Sequence, residues 1–124
     1  MAAYVHISTK ADRPSEAVGF SLGSLNFAPI AIYTRNELNE ISPQVAEKAF
    51  EAYEYLQIVK LHELTSKEYA QFCVATSSAY HYFLEDAETR VLQKEYIEGI
   101  SAHWRELIRL LETDPRFSGA SSFS

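Results

Sequence analysis

Gly19-Phe20-Ser21-Leu22-Gly23 carries the G-x-S-x-G spacing in which a serine on a tight strand-to-helix turn becomes a nucleophile. Its surroundings do not repeat that setting. Ser24 to Pro29 alternates like a strand and contains a proline, and 124 residues are few for a hydrolase sheet covered on both faces. The expectation is a glycine-rich hairpin with Ser21 in solvent, and no catalytic residue is assigned.

His81 and Glu85 are four apart and share a helical face, a spacing used by metal centres in helical bundles. Two ligands do not make a site. His62 and His103 would have to converge on them, and no H-E-x-x-H or E-x-x-H pair is present, so neither a metal nor another cofactor is expected. Cys73 is the sole cysteine and lies between Phe72 and Val74, which excludes an intrachain disulfide and reads as a small buried hydrophobe.

The remaining candidates recognise rather than react. Glu47, Glu51 and Glu54 form an acidic stripe with Tyr55 beside it, and a second acidic set comprises Glu85, Asp86, Glu88, Glu95 and Glu98. Together they hold eight of the seventeen carboxylates in a chain of net charge −6. Such faces keep helices solvated, and they also steer a basic partner. Tyr80-His81-Tyr82-Phe83 spreads rings around most of a helix, so either this end is buried on several sides or one of Tyr80 and Tyr82 reaches the surface as an anchor, tyrosine combining an apolar ring with a polar tip; Tyr82 is taken as that anchor. The partner-binding set is therefore Glu47, Glu51, Glu54, Tyr55, Tyr82, Glu85, Asp86 and Glu88.

These residues need elements to hold them. Tyr4 to Ser8 alternates as a short strand, and Lys10 to Glu16 reads as a loop. Val18 to Leu22 and Leu25 to Phe27 alternate about Gly23-Ser24, which predicts a hairpin; Ile30 to Tyr33 would follow Pro29 as an edge strand or part of an extended arm. Ser42-Pro43 is an N-cap followed by proline at the first helical position, and a helix over residues 43–63 follows. Its apolar face would be Val45, Ala49, Ala52, Tyr53, Leu56 and Val59.

Thr65-Ser66-Lys67-Glu68 is a capping box, with Leu64 and Tyr69 placed as its hydrophobic staple. It starts a second helix over residues 66–84, whose stretch Tyr69 to Leu84 contains no ionised side chain and reads as the central helix. A third helix over residues 87–112 carries Val91 or Leu92, Tyr96, Ile100, Trp104, Leu107 or Ile108, and Leu111 as a stripe, with Gly99 as a point for a kink and Thr113-Asp114-Pro115 as its stop.

The fold expected is mainly α within an α+β class: a three-helix antiparallel bundle around an uncharged central helix, with a small N-terminal β-hairpin or extended arm. Residues 1–115 form a single domain and 116–124 a flexible tail. The acidic balance argues against nucleic acid, and no apolar run approaches the roughly 20 residues that span a bilayer. The lone thiol and the absence of a secretory pattern at the N-terminus suit the cytoplasm.

The functional expectation is a small acidic domain that binds and neutralises or scaffolds a basic protein, of the immunity-protein or inhibitor type. The alternative is a small-molecule-binding protein or small enzyme, with Tyr80, His81, His103 and Trp104 lining a pocket between the second and third helices. A homodimer pairing the third helix with its copy is a further possibility.

Overall fold

The computed structural model describes residues 2–10, 13–90 and 93–117, of which the side chains of residues 9, 10, 13–17, 89 and 90 are left aside. The chain is mostly helical with a small three-stranded sheet. Its elements are β1 (Ala2–Lys10), β2 (Arg13–Gly23), α1 (Ser24–Ile41), α2 (Pro43–Phe50), the single turn α3 (Tyr53–Leu56), β3 (Ile58–Lys60), α4 (Ser66–Arg90) and α5 (Lys94–Glu112).

The hairpin exists, but with different strands. β1 pairs antiparallel with β2, Val5 opposite Phe20 and Ala2 opposite Gly23, so of the segment expected as a loop over residues 10–16, Lys10 ends β1 and residues 13–16 begin β2, while residues 11 and 12 lie outside the described residues. The sheet order is β2-β1-β3, with β3 parallel to β1 through Tyr4 opposite Ile58 and His6 opposite Lys60. Alternation along β1 turns Ala3, Val5 and Ile7 into the core.

Residues 25–33, expected as strand or arm, are helix. Phe27, Ile30, Ala31, Thr34 and Leu38 recur at helical spacing and all are buried, and covering that face against α4 outweighs the local cost of Pro29 inside α1. Pro29 supplies no N–H to the carbonyl of Leu25, one turn back. That turn faces solvent, where Leu25 is 88% exposed.

The helix expected over residues 43–63 is broken. It starts as expected, Ser42 Oγ accepting from the Val45 N–H at 3.4 Å, but α2 ends at Phe50. Gln57 then takes a left-handed conformation, φ 55°, with its N–H bonded to the Tyr53 carbonyl, the arrangement that closes a helical turn. The β-branched pair Ile58-Val59 leaves the helix to extend the sheet, burying Val59 and Leu61 completely. The bundle predicted from helices 43–63, 66–84 and 87–112 is thus replaced: the long helices are α1, α4 and α5.

The capping box forms as its residues require. Thr65 N–H donates to Glu68 Oε1 at 3.0 Å, and Glu68 N–H donates to Thr65 Oγ1 at 3.2 Å. α4 then runs six residues past Leu84, so Glu85 and Asp86 continue the helix instead of ending it. α5 passes through Gly99 without interruption. Tyr69 O–H donates to the Leu111 carbonyl at 2.6 Å and Trp104 Nε1–H to Thr76 Oγ1 at 3.1 Å, so α4 and α5 run antiparallel. Thr34 Oγ1 lies 3.1 Å from the same Thr76 hydroxyl, which makes Thr76 the polar junction of α1, α4 and α5 inside an apolar core.

Arg116, assigned by sequence to a tail, is a clamp. Its guanidinium donates to the carbonyls of Ile7 (2.7 Å), Leu61 (2.7 Å) and Leu64 (2.9 Å), pairs with Asp114 and stands 4.1 Å over the Tyr69 ring. Phe117 packs against the core; residues 118–124 lie outside the described residues.

Candidate functional site

Ser21 lies within the β1–β2 ladder, opposite Tyr4. A helix does follow Gly23, contrary to expectation, yet Ser21 sits in extended strand two residues before that junction, not on a turn. The first glycine of the pattern has a packing role: a Cβ at Gly19 would overlap the Tyr4 ring and hydroxyl lying across it. The Cys73 thiol is buried, and that burial pushes its pKa up to about 12, so the thiolate needed for nucleophilic chemistry is not formed near neutrality.

Among the described residues no three His, Cys, Asp or Glu side chains are grouped to hold a metal ion. The pocket predicted between α4 and α5 is filled. Trp104 is fully buried with Tyr80 and Phe83 against it, ring centroids 5.5 and 5.4 Å away, while His81 on the outer side of α4 is exposed.

The first acidic set does converge. Glu47, Glu51 and Glu54 surround an open hollow of about 310 Å³ with Arg35, Asn39, Pro43 and Phe50. α2 presents Val45, Ala46, Ala49 and Phe50 to the core, which leaves Glu47 and Glu51 outward. Arg35 reaches across from α1 to Glu54 at 3.3 Å and lies 5.8 Å from the Phe50 ring centre. Glu47 and Glu51 have no ion-pair partner among the described residues. Tyr55 is 85% exposed on the α3 turn beside them.

The second set is split. Glu85 and Glu88 are exposed and about 60° apart around α4, with Tyr82 flanking Glu85 and half-exposed. Asp86 is turned instead toward α1, where Tyr33 O–H donates to its Oδ2 at 2.7 Å. Because Tyr33 and Arg35 point to opposite sides of α1, that helix separates Asp86 from the Glu47, Glu51 and Glu54 hollow. The two acidic sets do not form one surface.

Sequence reasoning missed an open groove of about 590 Å³ between α1, α4 and the start of α5. Leu25, Pro29 and Ile32 line it from α1, Phe83 and Asp86 from α4, and Tyr96 from α5. Its signal was present: residues 17–34 carry no ionised side chain, a longer run than residues 69–84. Within α1 that run is apolar on two faces, one inward and one along the groove.

Comparison with protein-family models, curated proteins and solved structures finds no match. Among the described residues no helix is long and apolar enough to cross a membrane.

Proposed function

We propose that the chain is a small acidic binding domain that engages a basic protein, in the manner of an immunity protein or inhibitor. The observation carrying this reading is the convergence of Glu47, Glu51 and Glu54 on one hollow beside the exposed ring of Tyr55. Carboxylates at such a rim raise the encounter rate with a cationic surface, and a rigid exposed tyrosine supplies contact area at small entropic cost. Tyr82, Glu85 and Glu88 form a secondary contact surface in this reading, with Asp86 set apart from it. The single buried thiol suits a cytoplasmic setting.

The partner is to be isolated from cells by crosslinking and its binding measured in purified form. Reversing Glu47, Glu51 and Glu54 to Lys is expected to weaken that binding about tenfold or more, mostly through slower association at low salt. Unchanged affinity and association rate would remove this face from the interface.

A further inference from the structure

The groove between α1, α4 and α5 differs in chemistry from the acidic hollow and shares no residue with it. Its volume, about 590 Å³, falls within the range of small-molecule sites, roughly 300–1,000 Å³. Leu25 and Ile32 stand 88% and 59% exposed along one wall, and Tyr96 is 42% exposed on the opposite side. Tyr33 and Phe83 meet edge to face at 5.8 Å in its floor.

Among the described residues the lining holds one carboxylate, Asp86, and no basic side chain. Tyr33 O–H orients that carboxylate from one side, and a carboxylate has about four lone-pair positions, so a bound donor can be accommodated alongside existing contacts. Aromatic faces attract cations and do not attract anions. Sign of charge, ring content and apolar length therefore agree on one ligand class.

We infer that this groove binds a small organic cation with an apolar body, an alkyl- or arylalkylammonium, its charge beside Asp86 and its hydrocarbon along Leu25, Ile32 and Tyr96. The carboxylate and rings select the charge; the aliphatic wall selects the body. The acidic face is not needed for it.

The test uses the whole chain with 4-phenylbutylamine and its neutral counterpart 4-phenylbutanol, followed by amide shifts in two-dimensional NMR. The amine is expected to give saturable shifts confined to residues 25–36, 83–87 and 96, and to bind about tenfold more tightly than the alcohol. Asp86→Asn is expected to bring the amine to the level of the alcohol, and Tyr96→Ala to weaken both ligands. The variant with Glu47, Glu51 and Glu54 reversed is expected to bind the amine as the wild type does, which separates this site from the proposed protein-binding face. Equal affinity for amine and alcohol, shifts centred on the acidic hollow, or no saturable shift at millimolar amine would overturn the inference. Should Asp86→Asn unfold, the amine-to-alcohol ratio in the wild type and Tyr96→Ala still decide it.

Discussion

His6 and His62 stack with ring centres 3.8 Å apart and planes 20° from parallel. Burial lowers the His6 pKa from its ordinary 6.5, and repulsion from His62 lowers it further, against a Ser8 backbone hydrogen bond and the Glu63 carboxylate, which raise it. A histidine whose folded pKa is depressed binds its proton more readily when the chain unfolds. Its contribution to stability is intact above pH 6.5 and is lost as pH falls through the lower folded value. Denaturant midpoints are expected to fall between pH 7 and pH 5, and the fall is expected to be smaller in His6→Asn. An identical pH dependence in the two proteins would show that other groups control it.

At the scale of elements, Thr76 decides how α1, α4 and α5 meet. Replacing it with Val keeps the volume but leaves the Trp104 indole N–H, in a residue with no exposed surface, without its acceptor. The expected cost is about 1–3 kcal/mol by urea denaturation, with a change in Trp104 fluorescence. A loss below about 0.5 kcal/mol would mean that the indole finds another acceptor.

Legibility in the sequence followed the range of the interactions involved. The Thr65–Glu68 capping box and the Ser42-Pro43 start are satisfied within four residues, and both were readable. The break after α2 was not, because Ile58-Val59 is strand only when β1, more than fifty residues earlier, is present to pair with it. α1 was hidden by Pro29 and by a chance alternation that continues from Val18 to Phe27. The outward placement of Glu47 and Glu51 was readable from helical period; that of Glu54, on the separate turn α3, the relation of the three to Arg35, and the turning of Asp86 toward Tyr33 required the tertiary structure.

At the scale of the molecule, the sheet and α4 are joined by Arg116. Its bonds to Ile7, Leu61 and Leu64 satisfy carbonyls on β1 and in the connection from β3 to α4, and its charge is balanced by buried Asp114. Burial alone would raise the Asp114 pKa, but the Arg116 hydrogen bonds reverse that and hold it below the usual range. Arg116→Met removes the donors and strands the carboxylate, a loss expected at about 3–5 kcal/mol. Hydrogen exchange is expected to show early loss of protection at the amides of Tyr4 and Leu61, which bond across the β1–β3 seam. If protection there were retained while α5 alone loosened, Arg116 would be a helix terminator and not a clamp.

The clamp also orders events during synthesis. β1 and β2 leave the ribosome first and can pair at once, but the carbonyls of Ile7, Leu61 and Leu64 obtain their shared donor only when residue 116 emerges. Until then those three carbonyls are without that donor, and the strands that carry Val5, Ile7 and Val59 lack the closure it supplies.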